Sequence, residues 1–401
     1  MKNGNMKAVL FLASQAVSLL GSSIVQFAIV WYVTLETSSG GWVALISAAA
    51  YIPQFLISFI AGVWADRYPR KLLIIAADGA IAAATLALVL LLPHISQDET
   101  IYIALVVISA IRALGAGIHT PAVNAAIPQL VAEDHLMKFN GVNATVQSIV
   151  QFAAPAIAGS ILTWGSFHGA LMVDVVTAMA GIALLGAIAI PFEKRTVTSP
   201  VFAEMREGIR YAAKDRFLGK LIVLYGLFIF LCVPAGFLAT LFVSRYYGDT
   251  YFHMTLVELI GFLGMMAGGL LISTWGGFDR HTKTLLVGMA SFGLLALLMG
   301  LVQNFYVYLA LMAVYGVALS MVQTAATTLL QENSLPEMSG RIFGLFGAAY
   351  SCFLPIGMIV FGLLADWTSM RLLMALSGGL LMLMAAVMFG DKPFYRHGHK
   401  H

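Results

Sequence analysis

Long apolar runs occupy most of the chain, and they constrain its fold more than any other feature. Crossing the apolar core of a bilayer, ~30 Å thick, takes about 20 helical residues. Twelve runs meet that length: 8–35, 43–65, 72–92, 101–127, 138–163, 169–191, 218–243, 254–275, 284–303, 305–330, 341–364 and 371–390. Charged residues make up only 10% of the 401 residues, too few to cover a soluble domain of this size. The sequence predicts an all-α membrane protein with twelve transmembrane helices.

Lysine and arginine are distributed unevenly over the segments that join these runs. With the N-terminus placed in the cytosol, 19 of the 22 fall in cytosolic segments, Arg245 and Arg371 fall outside, and Arg112 lies within a span. Cytosolic loops of membrane proteins carry such an excess of positive charge. The pattern predicts a multi-pass protein of the cell's inner (cytoplasmic) membrane with both termini in the cytosol.

One polar stretch, residues 192–217, separates the sixth run from the seventh and is rich in both charge signs. We expect a cytosolic linker there, with acidic and basic residues between Glu204 and Arg210 spaced for a short amphipathic surface helix. The linker divides the chain into an N-terminal six-helix half, 1–191, and a C-terminal six-helix half, 218–401.

The two halves have features of internal repeats. Pro155 lies midway along the fifth run, and Pro355 lies midway along the eleventh, about 200 residues later. A fixed period of this kind indicates repeated structural units. Two six-helix repeats are typical of transporters, which bind their substrate near the membrane midplane between the halves.

A specific loop motif follows the second run. Gly62-Val-Trp-Ala-Asp66-Arg67-Tyr-Pro-Arg70-Lys71 resembles the loop signature of the major facilitator superfamily, G-x-x-x-D-R-x-G-R-K, with Pro69 where the family usually has glycine. Glycine permits close helix packing, the aspartate can cap a helix N-terminus, and the cations can pair with acids of neighbouring loops. We therefore expect a cytosolic gate formed by Gly62, Asp66, Arg67, Arg70, Lys71, Asp78 and Arg341. In it, Asp66 would cap the eleventh span near Ser339 and Gly340, and Asp78 would pair with Arg67 or Arg70.

Further segments are similar to the macrolide-efflux (Mef) family. They are Ser14-Gln15-Ala16-Val17-Ser18-Leu19, Ala77-Asp78, Ile111-Arg112, His119-Thr120-Pro121-Ala122, Glu204-Met205-Arg206-Glu207-Gly208 and Gly340-Arg341-Ile342-Phe343. The resemblance implies the major facilitator fold and export of drugs, which that family is thought to drive with the proton gradient. Related branches export siderophores or flip lysophospholipids, so a lysophospholipid or siderophore transporter is the alternative.

Charged residues inside predicted spans are costly and indicate function. Arg112 lies half-way through the fourth span, Asp174 in the outer third of the sixth, and Glu258 one turn into the eighth. Arg112 could be a structural strut or a proton-relay or substrate residue, and Asp174 could be its partner or a rim residue. Glu258 has no obvious partner, which suits proton coupling or binding of a cationic drug. These three are the candidate proton-coupling or substrate residues.

Polar side chains recur on one face of three spans. Such faces turn to a water-filled interior more often than to lipid, and the alternative is hydrogen bonding between helices. The candidate cavity-lining residues are Gln15, Ser18, Ser22 and Gln26 in the first span, His119 in the fourth, and Asn143, Gln147 and Gln151 in the fifth.

Sequence signals for chemistry are absent. The chain has no P-loop, no H-E-x-x-H and no G-x-S-x-G motif. Cys232 and Cys352 are far apart in apolar runs, and the histidines of the tail 397–401 are few and terminal, so neither set predicts a metal site. We expect no catalytic residues, no cofactor and no resident metal.

Together these patterns predict a secondary active exporter of amphiphilic small molecules, such as macrolide-like drugs, that works by proton antiport and alternating access. Its expected partners are a small-molecule drug or amphiphile, protons and the lipid bilayer, with no nucleic acid, and we expect a monomer. A transceptor or a membrane enzyme on a transporter-like fold is the alternative from a different class.

Overall fold

The computed structural model describes residues 2–131, 133–190, 209–335 and 338–396, and within them the regular structure is helical. The helices are α1 (Lys2–Thr37), α2 (Gly40–Arg67), α3 (Arg70–Leu91), α4 (Asp98–Leu130), α5 (Glu133–Trp164), α6 (Phe167–Gly186), α7 (Arg216–Cys232), α8 (Ala239–Tyr246), α9 (Tyr251–Trp275), α10 (His281–Leu301), α11 (Phe305–Asn333), α12 (Ser339–Trp367), α13 (Met370–Gly390) and α14 (Lys392–Arg396). Most of the predicted linker, including the start of its surface helix, lies outside the described residues, as does the tail from residue 397.

Eleven helices in the described part of the chain are long and apolar enough to cross a membrane. They coincide with eleven of the twelve predicted spans, and the prediction of an all-α membrane protein is confirmed. The exception is 218–243, where the structure has α7 and the eight-residue α8 instead of one helix.

A proline explains the division of the seventh span. Pro234 follows the end of α7 by two residues, and its ring lacks the N–H that a continuing helix would need. The turn 233–238 instead uses short-range bonds, among them Gly236 N–H to Cys232 O at 2.9 Å. The predicted span 218–243 is therefore not one continuous helix but two short helices joined by a largely buried turn.

The chain divides into two compact units. The first comprises residues 1–36 and 45–198, and the second comprises 37–44 and 199–401. The first turn of α2 thus belongs to the second unit, whereas the rest of that helix belongs to the first.

Small residues set the close helix contacts of the first unit. A Cβ atom at Gly21 of α1 would lie 3.1 Å from the Cα atom of Asp174 in α6, and one at Gly117 of α4 would lie 2.7 Å from the carbonyl oxygen of Gln54 in α2. Helix backbones can approach this closely only where a side chain is missing. These contacts bring the polar residues of α1 and α6 within reach of each other.

The second unit uses the same device and an aromatic core. A Cβ atom at Gly293 of α10 would lie 2.5 Å from the carbonyl oxygen of Gly378 in α13. Between the helices, Phe292 packs on Phe228 and on Tyr315 with ring centroids 4.9 and 4.0 Å away. The aromatic rings of this unit therefore pack largely against one another.

A carboxylate at the end of α12 caps the start of α2, and both segments lie in the second unit. Asp366 accepts hydrogen bonds from the backbone N–H groups of Gly40 and Gly41, each at 2.7 Å, and from the hydroxyl of Ser39 at 2.9 Å. A negative charge is stabilising at a helix N-terminus, where backbone N–H groups lack partners. Asp366 supplies that charge to α2.

Arg245 of α8 completes this cap. Its guanidinium donates to Asp366 at 2.8 Å and to the carbonyl oxygen of Ser38 at 3.0 Å. Gly40 has no space for a side chain, because a Cβ atom there would lie 2.1 Å from the carbonyl oxygen of Gly362. We call Asp366, Arg245 and residues 38–41 the Asp366 cap.

A second capping carboxylate joins α13 to α14. Asp391 accepts hydrogen bonds from the Lys220 ammonium and from the Phe394 N–H at 3.2 Å, and these bonds hold the pKa of Asp391 below its usual range. Because the folded-state pKa is lowered, the stabilisation is present above the ordinary aspartate pKa and is lost as the pH falls through the lowered value.

Candidate functional site

Four helices of the first unit surround a buried ion pair. Arg112 of α4 and Asp174 of α6 form the pair, and they are 6% and 1% exposed. Thr85 of α3 accepts a hydrogen bond from Arg112 at 2.7 Å and donates to Asp174 at 3.0 Å. Ser22 of α1 donates its hydroxyl to Asp174 and accepts from Arg112 at its carbonyl oxygen, both at 3.2 Å. We call these four residues the Arg112 cluster.

The Arg112 cluster is closed, since its two charges cancel and each contacts a further polar group. Burying a charge is tolerable only with such partners. The sequence left Asp174 as either the partner of Arg112 or a rim residue. In the structure it is the partner of Arg112. Thr85 was missed from the sequence, because a single threonine in an apolar span carries no distinctive signal.

A second group of polar residues lies on α3 and α4, seven residues along each helix from the Arg112 cluster. Seven helical residues span about 10 Å. Asp78 of α3 and His119 of α4 place Oδ1 and Nε2 3.4 Å apart, and their side chains are 6% and 19% exposed. The hydroxyl of Ser18 on α1 also faces the Asp78 carboxylate. Among the described residues, His119 Nε2 is buried without a hydrogen-bond partner. We call Asp78, His119 and Ser18 the His119 group.

The predicted pairing of Asp78 with Arg67 or Arg70 is therefore wrong. Arg70 lies eight residues before Asp78 on the same helix, about 12 Å along its axis, whereas His119 stands opposite on the neighbouring helix. Arg70 is buried, and its Nε donates to the carbonyl oxygen of Ala65 at 3.0 Å. Arg67 is exposed.

The loop motif itself is tied to a helix end. Lys71 donates from Nζ to the carbonyl oxygens of Gly186 and Ile188, each at 2.7 Å, at the carboxyl end of α6. A cation is favourable there, because the helix dipole is negative and the last carbonyls lack partners. In these bonds Lys71 meets carbonyls, whereas the motif predicted acidic partners in neighbouring loops.

Other predicted gate residues have different surroundings. No atom of the described chain lies within 4 Å of a Cβ atom placed on Gly62, so close packing at this glycine is not seen. Arg341 donates to the Met338 sulfur at 3.2 Å. The side chains of Asp66 and Ser339 lie outside the part that the structure describes, so the Asp66 cap stays a prediction.

The remaining cavity-lining candidates have mixed surroundings. Gln15 is buried and donates to the Ser14 hydroxyl at 3.1 Å, and its Oε1 has no partner among the described residues. Gln26 and Asn143 are half-buried, and Gln147 and Gln151 are exposed. These residues do not join the two polar groups just described.

Glu258 of α9 is half-buried and makes no ion pair or hydrogen bond within the described residues. Tyr308 of α11 lies close enough to interact with it electrostatically, and the Tyr308 hydroxyl is fully buried without a partner in the described chain. Arg112, the cation within a predicted span, is bound to Asp174. Among the described residues, no cation forms an ion pair with Glu258.

No group of three or more His, Cys, Asp or Glu residues in the described part of the chain could hold a metal ion. The polar groups of the site are thus carboxylates, an imidazole, a guanidinium, hydroxyls and amides. Such groups can bind and release protons and can hydrogen-bond or pair with a polar ligand.

Sequence comparisons place the chain among exporters. The sequence model of a family described as "Transmembrane secretion effector" matches residues 3–393. Macrolide efflux protein A of Streptococcus pyogenes is 30% identical over 390 residues, which cover 96% of each chain. The multidrug efflux pump Tap of Mycobacterium tuberculosis is 24% identical over 374 residues, which cover 89% of this chain and 86% of the pump.

Solved transporter structures share the fold. The nucleoside transporter NupG matches with a TM-score of 0.76 at 12% identity, over 96% of this chain and 99% of its own. A bacterial homologue of the iron transporter ferroportin, in its inward-facing state, matches with a TM-score of 0.72 at 16% identity, over 95% and 98%. At these identities the likeness shows the fold alone.

The predicted major facilitator fold and the predicted relation to the macrolide-efflux family are confirmed. The protein is a multi-pass membrane transporter and not an enzyme. The chain belongs to the transmembrane secretion effector family of the major facilitator superfamily.

Proposed function

We propose that the protein exports amphiphilic small molecules, macrolides among them, from the cell. The observation that carries this proposal is the 30% identity to macrolide efflux protein A, which extends over 96% of both chains. A match along the whole length includes every helix that could contribute to a substrate site. The relation to a multidrug efflux pump supports drugs as the wider substrate class.

The energy source in this proposal is the proton gradient. The sequence has no P-loop with which to bind ATP, so a secondary gradient must drive accumulation against a concentration difference. Glu258 supports proton coupling, because an acid without a charged partner within a predicted span can be neutralised by a proton or by a cationic substrate. Competition between the two for one carboxylate gives exchange.

In this proposal the protein lies in the cell's inner membrane with both termini in the cytosol. A monomer carries out transport. The unequal distribution of lysine and arginine supports the orientation. In this proposal the six-helix halves 1–191 and 218–401 move relative to each other, joined by the linker 192–217.

We propose that alternating access uses two similar caps. α2 ends in Gly62-Val-Trp-Ala-Asp66 and α12 ends in Gly362-Leu-Leu-Ala-Asp366, so both end in the same G-x-x-A-D pattern. Asp366 caps the start of α2. By the same pattern, Asp66 would cap the start of α12 when the cytosolic side is closed. Each cap would close one side of the membrane, and the two would form in turn.

Export can be tested in a host that lacks its own drug pumps. We expect the gene to lower erythromycin accumulation and to raise the concentration of erythromycin that stops growth. An uncoupler should abolish efflux in cells that remain loaded with ATP, because the gradient supplies the energy. The empty vector is the control. Unchanged growth inhibition would contradict macrolide export, and efflux that persists with the uncoupler would contradict proton coupling.

The two caps can be tested with spin labels at Tyr68 and Leu335, which are both exposed. A cap contributes about 0.5–2 kcal/mol, so removing one should change the populations of the two states several-fold. We expect Asp66→Asn to increase the population with the longer label distance and Asp366→Asn to decrease it, as measured by pulsed electron spin resonance.

Asp98→Asn, a change at an exposed acid, is the matched control and should leave the distances unchanged. If Asp66→Asn and Asp366→Asn shift the distances in the same direction, the two caps do not alternate.

Proton coupling at Glu258 can be tested in liposomes with the membrane potential held at zero. Glu258→Gln removes one titratable group, so the erythromycin gradient that one pH unit sustains should fall about tenfold. Exchange of labelled for unlabelled erythromycin, which needs no net proton movement, should continue. Glu99→Gln, at an exposed acid, is the control. An undiminished gradient would make Glu258 a rim residue.

A further inference from the structure

The two polar groups of the first unit differ in how completely their charges are satisfied. In the Arg112 cluster, the cation and the anion pair directly, and both carboxylate oxygens of Asp174 have hydroxyl partners. In the His119 group, the imidazole nitrogen is 3.4 Å from the carboxylate and has no hydrogen bond among the described residues. The first arrangement is fixed, whereas the second has an incomplete contact that a proton can strengthen.

Charge balance indicates what that proton does. Asp78 ionised beside neutral His119 leaves one net negative charge in a buried site, which is costly. Adding one proton makes the pair neutral, whether the proton lies on the imidazole or on the carboxylate. On the imidazole, an N–H group at Nε2 points to Asp78 Oδ1 and converts the long contact into a charge-assisted hydrogen bond. The pair therefore binds and releases one proton as a unit.

The groups that surround Asp78 and His119 do not supply a further charge that would neutralise the pair. From α1 the group receives the Ser18 hydroxyl, which is uncharged, and Gln15 lies on the preceding turn. From α6 the charge that acts on Asp78 is Asp174, already neutralised by Arg112 of α4. On α3 the nearest cations are Lys71 and Arg70, both about two turns away, and they donate to backbone carbonyl oxygens. Among the described residues, no cation other than His119 forms an ion pair with Asp78.

We propose that Asp78 and His119 together carry one exchangeable proton through the transport cycle, in addition to the proton at Glu258. The inference rests on the proposed function, proton-driven export. While the transporter is open to the outside, a proton from that side binds the pair at His119 Nε2 or at the Asp78 carboxylate. The protonated pair is neutral, so the transporter can change to the inward-open conformation without burying a net charge. The same proton then leaves to the cytosol.

The role of the Ser18 hydroxyl follows from this proposal. It faces the carboxylate in either protonation state, because a hydroxyl can donate to ionised Asp78 or accept from protonated Asp78. Ser18 is therefore a positioning residue, and Asp78 and His119 are the groups that carry the proton.

The test uses the full chain in liposomes, with the membrane potential held at zero and erythromycin as the probe. His119→Gln and Asp78→Asn each remove one proton-binding group while keeping a polar side chain of similar size. We expect each variant to lower the erythromycin gradient sustained by one pH unit about tenfold, since each lost proton removes one factor of ten. Erythromycin exchange at equal pH should stay within twofold of the unmodified protein.

His94→Gln, at an exposed histidine after α3, is the matched control and should leave both measurements unchanged. If the unmodified protein sustains no gradient at all, the proposed function fails. If it does and either variant sustains the same gradient, the proton pair is overturned. Loss of erythromycin exchange in both variants would assign Asp78 and His119 a structural role and would equally overturn it.

Discussion

The cost of burying charge governs this transporter. A helix bundle that places a guanidinium and a carboxylate in a bilayer must neutralise both, and removing one partner costs about 3–5 kcal/mol. The Arg112 cluster meets this requirement with one group from each of α1, α3, α4 and α6, so it also holds these four helices in register. Asp78 and Glu258 are the other two acids within the predicted spans, and the protons of the proposed exchange are assigned to them.

Much of the fold could be predicted because lipid imposes simple rules. Apolar length marked eleven spans, and the loop motif marked the superfamily. The break in the seventh span was missed, since Pro234 lies in a run that is apolar throughout and its effect depends on local backbone bonding. The close helix contacts at glycines such as Gly21 and Gly117 could not be predicted either, because they depend on which helices become neighbours.

The sequence identified several residues of the polar groups but was less successful in predicting which of them pair. Arg112, Asp174 and Ser22 were all chosen as candidates, and the structure joins them. Asp78 was assigned to the loop, because nearby basic residues in the sequence suggested partners, whereas its partner comes from another helix. Thr85 had no distinctive signal in the sequence. The pattern around Asp366 was not recognised as a cap until the structure showed which groups Asp366 binds. Pairing between helices is a three-dimensional property, and a single sequence does not contain it directly.

The central claim is that Arg112 and Asp174 are a fixed strut and that the protons move elsewhere. The most direct test replaces both charges together, as Arg112→Met with Asp174→Leu, and measures the erythromycin gradient sustained by an imposed pH gradient in liposomes. A buried ion pair can often be exchanged for apolar side chains without loss of stability, whereas a single replacement leaves a buried charge unpaired. The account predicts a double variant that folds and sustains the same gradient as the unmodified protein. A double variant that exchanges erythromycin normally but sustains a smaller gradient would contradict it.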